Sequence, residues 1–334
     1  MIKDMLKVGI IGDGVWGTAL ACVVARSGLQ VTLISINQDV VKEINQHHSN
    51  SLRLPGISLP ENIVATMDWE DLILVDCIII VVPSQQMRSV GQTLQSLSLK
   101  NPIILVASKG IEISTGLFMS EVLKECGLTN MPIGILSGPN FAGEVALDLP
   151  SATGIFIEQN AWALMRSIFN TEAFSVSLHT DIIGAQICGA LKNVYAIASG
   201  MLMGLGAGEN IRAALISLAL QELKALGQIY RADSTTFSTI TGIGDLLLTC
   251  VGEQSRNFKF GCFLGSGGTS IQYEKKFPNS TVEGYSTVLS IVERLQDRIK
   301  DFTLLECIHE ILYKHSCPQN LIKCILRINR NGYC

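Results

Sequence analysis

Apolar residues form short runs of strand length in the first half of the chain and longer helical patterns in the second half. The short runs are bounded by Gly, Ser, Pro and Lys, which is typical of buried strands ending in turns. They predict strands at residues 7–11, 30–36, 76–83, 102–107, 133–137, 153–158 and 174–178. Apolar spacing of helical period predicts helices at 18–27, 182–203, 211–226, from about 244, 287–296, 304–313 and 320–329.

A glycine motif links the first predicted strand to the first predicted helix. Gly12, Gly14 and Gly17 have the spacing G-x-G-x-x-G, and a second strand follows within about thirty residues. Strand, glycine loop, helix and strand in this order are the context that a dinucleotide-binding motif requires. The glycines would let the backbone approach a pyrophosphate at the positive end of the helix.

The acidic residue that commonly follows the second strand of such a motif is missing. Ser35, Ile36 and Asn37 occupy that region, and none of them is basic. An acid there binds a ribose hydroxyl of NAD, whereas an Arg accommodates the 2′-phosphate of NADP. The choice between NAD and NADP therefore stays open.

The whole pattern predicts an α/β protein with two domains. At 334 residues the chain exceeds the usual size of one hydrophobic core. The predicted strands stop before residue 180, and the rest of the sequence is mainly helical. We expect an N-terminal Rossmann-type doubly wound sheet at residues 1–180, followed by an all-helical C-terminal domain at 181–334.

The longest helical pattern contains two polar residues in an apolar setting. Lys192 and Asn193 stand among small and apolar residues from Cys188 to Gly200. Burial would lower the pKa of such a lysine toward values useful for proton transfer. The alternative is a lysine whose stem lies on apolar surface while its ammonium reaches water.

Two further groups of residues could join a site. Asp245 and Thr249 are four residues apart and would share a helical face, although Asp245 could simply cap that helix. Lys109 follows a predicted strand, and its alternative role is an exposed loop lysine.

The turn at residues 255–257 combines a hydroxyl, a guanidinium and an amide, which together suit a phosphate. A surface salt bridge is the alternative for Arg256. Glu283 lies in another turn, and the glycine-rich turn at 204–210 is better explained as a connector between helices.

Composition narrows the class of function. A net charge of -4 argues against a general nucleic-acid binder or a protein that binds anionic membranes. No apolar run is long enough to span a bilayer, and residues 1–7 lack the apolar core of a targeting peptide. The ten cysteines are scattered, with no metal-ligand spacing. We expect a cytoplasmic protein with reduced thiols, no bound metal and no membrane insertion.

The chain also resembles bacterial-type glycerol-3-phosphate dehydrogenases that use NAD or NADP, over nearly its whole length. The matching segments occur in the family's order. They are residues 12–21, 82–84 with Arg88, 109–112, 138–146, 189–198, 242–246, 249–250, 255–257 and 282–284.

The resemblance implies a Rossmann domain followed by a helical domain, with dihydroxyacetone phosphate and sn-glycerol 3-phosphate as the substrate pair. The implied catalytic residues are Lys192, Lys109, Asp245 and Thr249. The implied cofactor-binding residues are Gly12, Gly14, Val15, Trp16, Gly17, Pro83, Lys109, Ala142, Arg256, Thr281 and Glu283. The implied substrate-binding residues are Lys109, Gly138, Asn140, Lys192, Asn193, Asp245, Ser255, Arg256 and Asn257. It also implies a homodimer and a role in supplying phospholipid synthesis.

Three departures from the family pattern bear on activity. Asn140 stands where Ser or Thr is usual, Ile36 lies where an Arg is usual, and Leu218 and Ala219 replace an Arg-containing pair. They leave two alternatives: a Rossmann protein that senses NAD(P)H without catalysis, and a related dehydrogenase acting on a hydroxy acid. The close match at 242–245 and 255–257 disfavours the second.

Overall fold

The computed structural model describes residues 6–169, 171–278 and 280–331. Residues 1–5, which include most of the segment without a targeting core, lie outside these ranges. The chain forms two compact units: residues 6–108 with Met119–Ile182, and Lys109–Phe118 with residues 183–331. The segment Lys109–Phe118 thus groups with the helices. The domain limits at 1–180 and 181–334 stay a prediction.

The first unit is built on one eight-stranded sheet. Its strand order is β3-β2-β1-β4-β5-β6-β7-β8, and every pair is parallel except β6 with β7. This mostly parallel sheet confirms the predicted fold class. The strands are β1 (Lys7–Ile11), β2 (Gln30–Ile34), β3 (Ile63–Thr66), β4 (Cys77–Ile80), β5 (Ile103–Val106), β6 (Ile133–Ser137), β7 (Ser151–Phe156) and β8 (Phe174–His179).

Helices of the first unit pack on this sheet. The first of them is buried from Gly17 to Ala25, and its many Ala and Val side chains allow close packing. The helices are α1 (Val15–Arg26), α2 (Gln38–His47), α3 (Met87–Ser96), α4 (Met119–Glu125), α5 (Ala142–Ala146) and α6 (Trp162–Ile168). Arg26, the last residue of α1, donates to the carbonyls of Val145 and Ala146 and so connects α1 to α5.

The second unit is helical and surrounds one long helix. The helices are α7 (Ile182–Gly204), α8 (Glu209–Ile229), α9 (Asp245–Val251), α10 (Arg256–Gly265), α11 (Ser270–Lys276), α12 (Glu283–Leu295), α13 (Thr303–Tyr313) and α14 (Asn320–Asn331). Residues Gly184–Leu202 of α7 are all buried. Glycines permit α10 to approach α7 closely, since a Cβ at Gly200 or Gly261 would collide with a backbone carbonyl of the other helix.

The apolar pattern located most elements, with errors at their ends. β2 ends at Ile34, two residues before the predicted end, and β4 is shorter than predicted at both ends. The pattern missed β3, which has four residues, and seven helices of ten residues or fewer: α2, α3, α4, α5, α6, α10 and α11. Strand β7, one of the last two strands of the sheet, runs antiparallel to β6.

The expectation that no apolar run could span a bilayer was wrong by length and composition for α7, the one such helix within the described residues. However, 89% of its most apolar window is buried inside the chain. The core helix of a globular unit has the same properties, and α7 is such a core helix.

Candidate active site

The glycine loop between β1 and α1 has the shape that a pyrophosphate requires. Gly12 has φ +115°, and a Cβ there would lie 2.5 Å from the carbonyl oxygen of Val81. A Cβ on Gly17 would collide with the carbonyl oxygen of Gly12, so Gly17 lets α1 begin close to the loop. Nothing lies within 4 Å of a Cβ built on Gly14. The loop thus leaves room for a phosphate at the N-terminus of α1, and its residues fit NAD or NADP.

The predicted cofactor residues beside this loop differ in exposure. Val15 begins α1 and is 44% exposed, while Trp16 is half-buried. Pro83 is exposed after β4, and Ala142 is the half-buried first residue of α5. All four lie in the first unit, in or after loops that follow the carboxyl ends of β1, β4 and β6, where parallel sheets bind ligands.

The turn after β6 holds two predicted substrate residues. Gly138 is buried, and a Cβ there would lie 2.6 Å from Oγ1 of Thr153. Asn140 donates its amide to the carbonyl of Ala152 on β7, at 3.1 Å. Its Oδ1 is buried and, among the described residues, receives no hydrogen bond. The side chain of Asn140 thus fixes the turn through its amide N–H group, and its Oδ1 could still accept a hydrogen bond.

A buried carboxylate in the second unit holds two lysines. Asp245 is fully buried, and its two oxygens accept from Nζ of Lys192 at 2.5 Å and Nζ of Lys109 at 2.7 Å. Lys192 also donates to Oγ1 of Thr249, at 2.9 Å. The hydroxyl of Thr249 in turn donates to the backbone carbonyl of Asp245. The four residues predicted to be catalytic therefore form one hydrogen-bonded cluster, and Lys192 does not extend into water.

The surroundings of Lys192 change its acidity. Burial lowers its pKa, the charge of Asp245 opposes this effect, and the nearby ammonium of Lys109 adds to the lowering. The resulting pKa is about 8 instead of 10.5. An amine with this pKa can both donate and accept a proton near neutral pH, which suits general acid–base catalysis.

A π-helical turn places Asp245 in this cluster. The turn covers Ile240–Gly244 and leads directly into α9, of which Asp245 is the first residue. Gly242 allows it, since a Cβ there would meet the backbone of Phe237. Turns of this kind occur frequently at functional sites.

The opposite end of α9 is fixed by a buried arginine. The carbonyl of Cys250 accepts from Oγ of Ser199 at 2.7 Å and from Nη2 of Arg212 at 3.3 Å. Arg212 lies on α8, stacks its guanidinium over the ring of Phe258 and pairs with Glu209. These contacts bind α9 to α7 and α8, so they fix the helix that carries Asp245 and Thr249.

The predicted substrate amides bond to each other. Nδ2 of Asn257 donates to Oδ1 of Asn193 at 3.0 Å, and Oδ1 of Asn257 accepts from the backbone N–H of Gly284. Ser255 caps α10 by accepting from the N–H of Phe258. The structure thus gives Ser255 a capping role besides any contact with substrate.

The remaining predicted residues lie around these amides in the second unit. Arg256 is the exposed first residue of α10, which leaves its guanidinium accessible at a helix N-terminus. Thr281 is exposed, and Glu283 is the half-buried first residue of α12.

Sequence reasoning missed four buried charged residues, of which one is Glu112. Arg212 and Glu222 lie in the apolar pattern of α8, and Asp13 lies inside the glycine motif. For Arg212 and Glu222 the available signal was a single charge within an otherwise apolar run, the same signal that indicated Lys192. Apart from Glu209, which lies three residues before Arg212, the partners of the Arg212, Glu222 and Asp13 side chains are distant in sequence, so the pattern could not identify them.

A parallel sheet with a glycine loop, and a helical unit with a buried lysine–carboxylate cluster, are features of a nicotinamide-dependent dehydrogenase. Comparison with known families agrees with this class. Residues 7–163 match the family described as the N-terminus of NAD-dependent glycerol-3-phosphate dehydrogenase, and residues 181–323 match its C-terminus.

Individual relatives agree over most of their length. The chain is 35% identical to a glycerol-3-phosphate dehydrogenase [NAD(P)+] of Halalkalibacterium halodurans, covering 95% of this chain and 92% of the relative. It is 38% identical to that of Erythrobacter litoralis, covering 92% of each. The crystal structure of glycerol-3-phosphate dehydrogenase from Coxiella burnetii is 32% identical, with a TM-score of 0.89, over 96% of this chain and 98% of that one.

The chain belongs to the NAD-dependent glycerol-3-phosphate dehydrogenase family. This confirms the predicted family, the oxidoreductase class and the prediction of NAD or NADP as cofactor. The alternative of a non-catalytic sensor finds no support in these relatives.

Proposed function

We propose that this chain interconverts dihydroxyacetone phosphate and sn-glycerol 3-phosphate, and that the cluster of Lys192, Asp245, Thr249 and Lys109 is its catalytic centre. The observation that carries the proposal is the pair of ammonium groups on one buried carboxylate, with the pKa of Lys192 lowered to about 8. Bound NADH would supply the hydride that reaches C2 of the ketone.

Lys192 would act as the general acid of the reduction. As hydride adds to C2, negative charge develops on the C2 oxygen, and Nζ of Lys192 gives that oxygen a proton. The product is the secondary alcohol, and Lys192 is left as the neutral amine. In the reverse direction the amine accepts the hydroxyl proton while hydride leaves C2.

Asp245 and Lys109 would set the electric field around this proton. The Asp245 carboxylate holds the Lys192 ammonium in place and opposes the lowering of its pKa. Lys109 places a second positive charge on the same carboxylate, at 2.7 Å. A positive charge near the carbonyl stabilises the alkoxide character of the transition state.

The phosphate of the substrate would bind at the N-terminus of α10. Arg256 is exposed there, and the helix dipole favours an anion at that end. Asn257 and Asn193 would offer their amides after exchanging their mutual hydrogen bond. Binding energy from the phosphate, which does not react, would then orient the carbonyl.

The test of the function uses the purified full chain. Oxidation of NADH, and separately of NADPH, is followed by nicotinamide absorbance after dihydroxyacetone phosphate is added. Unphosphorylated dihydroxyacetone is the control substrate, and we expect it to react far more slowly because it lacks the anchoring group. Absence of turnover of the phosphorylated ketone with both cofactors would contradict the proposal.

Replacing Lys192 tests its role directly. Lys192→Met keeps an apolar chain of similar length but removes the proton, so we expect kcat to fall by about a thousandfold. NADH affinity should change little. The control is Lys275→Met, which removes an exposed lysine of α11 in the same unit. A Lys192→Met variant with normal kcat would remove Lys192 from the mechanism.

Three finer proposals accompany the activity. The resemblance to bacterial enzymes supports a homodimer and a role in supplying glycerol 3-phosphate to phospholipid synthesis. The nine cysteines in the described residues form no disulfide, which supports a reducing, cytoplasmic environment. Sedimentation equilibrium would test the homodimer, and a monomer at micromolar concentration would contradict it.

A further inference from the structure

We infer that Asp13 makes this chain select NAD(H) against NADP(H), by supplying from the glycine loop the negative charge that other Rossmann proteins carry at the end of the second strand. This inference concerns the cofactor of the proposed reaction and rests on that function only for the identity of the cofactor.

Asp13 lies next to the position where the usual acid would stand. Ser35 directly follows β2, and its hydroxyl donates to Oδ2 of Asp13 at 2.6 Å. The same hydroxyl oxygen accepts from the N–H of Asn37, at 3.0 Å. β1 and β2 are adjacent and in register up to Ile11 and Ile34, which brings the two loops together. In Rossmann units the ribose 2′ position lies at this end of the second strand.

The position of the Asp13 side chain is tightly fixed. Asp13 is only 7% exposed, and its backbone carbonyl accepts from Oγ1 of Thr18 and Nδ2 of Asn50. A fixed, largely buried charge acts through a lower effective dielectric than an exposed one. It should therefore repel a 2′-phosphate more strongly than a mobile surface carboxylate would.

No basic residue of the neighbouring elements offsets this charge from a fixed position. The basic side chains of α1 and α2 are Arg26, which lies at the far end of α1 and pairs with Asp148, and Lys42 and His47 of α2, which are exposed and thus screened by salt. A second acid, Asp68, lies two residues after the end of β3, the strand that pairs with β2. Arg53, three residues after Asn50, is exposed and thus screened by salt. The balance of charge around the end of β2 is negative.

A purely structural role would not require a charge. A neutral Asn could accept the Ser35 hydrogen bond equally well. Repulsion between Asp13 and the pyrophosphate would affect NADH and NADPH alike, because both contain it. The ratio of the two affinities therefore isolates the 2′-phosphate, and it can be measured without any substrate.

The experiment measures dissociation constants of NADH and NADPH by cofactor fluorescence on the full chain. We expect the wild type to prefer NADH. Asp13→Asn should shift the ratio toward NADPH by about tenfold, while NADH affinity changes much less. The control is Glu172→Gln, which removes an exposed charge just before β8, the strand at the opposite edge of the sheet, and should leave the ratio unchanged.

Two further measurements keep the inference testable if Asp13→Asn does not fold. Ile36→Arg places a cation at a position that is 87% exposed, and it should improve NADPH binding alone. In the wild type, added salt should weaken the discrimination, since it screens the repulsion.

Some results would overturn the inference. They are a wild type that binds NADPH as tightly as NADH, a ratio that does not respond to Asp13→Asn, or discrimination that is independent of salt. Because binding is measured without substrate, a chain that binds NADH selectively but does not reduce dihydroxyacetone phosphate would reject the proposed function and leave this inference standing.

Discussion

Lys192 keeps an ammonium in an apolar helix because Asp245 faces it and Thr249 accepts a further hydrogen bond. The sequence could predict that Asp245 and Thr249 share a face, since they lie four residues apart. It could not predict that Lys109, from a segment 136 residues before Asp245, completes the cluster. Such contacts depend on tertiary packing, and the periodicity of apolar residues carries no information about it.

Asp13 is a second residue whose contacts could not be predicted from the sequence. Its place inside the glycine motif could be read from the sequence, and so could the missing acid after β2. The link between the two observations is a hydrogen bond across 22 residues, which only the paired strands reveal.

The charge of Asp245 should be visible in the pH dependence of catalysis. With a pKa of about 8, Lys192 is the acid below that pH and the base above it. Reduction of dihydroxyacetone phosphate should therefore slow as pH rises through about 8, and oxidation of glycerol 3-phosphate should accelerate. Asp245→Asn removes the attraction that raises this pKa, so both midpoints should move to lower pH.

Profiles of kcat against pH, measured in both directions, would check this prediction. The control is Asp297→Asn, an exposed acid of the same unit, whose midpoints should match the wild type. Midpoints that stay at the wild-type value in Asp245→Asn, or that move upward, would contradict the proposed coupling.

At the scale of elements, the long periodic helices were the easiest to predict. α7 and α13 begin within one residue of their predicted starts, because a wide apolar face specifies them. The short elements of the site were harder, although α7, which carries Lys192, was not. α9 has only seven residues, and the π-helical turn before it depends on the contact between Gly242 and Phe237. Helical period alone does not specify such a turn.

A helix as short as α9 needs support from its neighbours to hold Asp245 and Thr249. Arg212 and Ser199 provide it by donating to the carbonyl of Cys250. Arg212→Leu keeps apolar contact with Phe258 but removes the donor. We expect kcat to fall by about tenfold with a small loss of unfolding free energy, on the order of 1–3 kcal/mol, because the carbonyl loses one of two partners.

Two measurements on Arg212→Leu distinguish a role in positioning α9 from a contribution to the stability of the whole unit. Loosening of α9 should also shift the pH midpoint of kcat, whereas a merely structural role would lower only the melting temperature. Arg212→Lys should restore part of the activity. Glu209→Gln is the control, since Glu209 is the exposed partner of Arg212 and contributes little. A normal kcat and midpoint in Arg212→Leu would exclude the positioning role.

At the scale of the whole molecule, the chain offers separate optical reporters for its two units. The three tryptophans, at 16, 69 and 162, all lie in the first unit. The tyrosines that the structure describes, at 195, 230, 273, 285 and 313, all lie in the second unit. Tryptophan fluorescence should therefore follow unfolding of the sheet, and tyrosine signals should follow unfolding of the helical unit.

A buried carboxylate gives the helical unit a pH-dependent stability. Glu222 accepts from the N–H groups of Leu304 and Leu305 in the first turn of α13, and from the hydroxyl of Tyr195. Burial raises the pKa of Glu222 from 4.5 to about 7, although these hydrogen bonds oppose the rise. The folded unit therefore holds this proton more tightly than the unfolded chain does. The stability that results is complete below about pH 4.5 and is lost as pH rises through about 7.

Glu222→Gln carries no titrating proton, so the variant isolates this contribution. The wild type should lose roughly 3 kcal/mol of unfolding free energy relative to Glu222→Gln between pH 4.5 and 8. The measurement is urea unfolding at several pH values, followed by tyrosine and helix signals. Tryptophan fluorescence serves as the internal control, since the substitution lies in the other unit. A difference between the two proteins that stays constant with pH would show that Glu222 is ionised throughout, because its three donors would then outweigh the cost of burial.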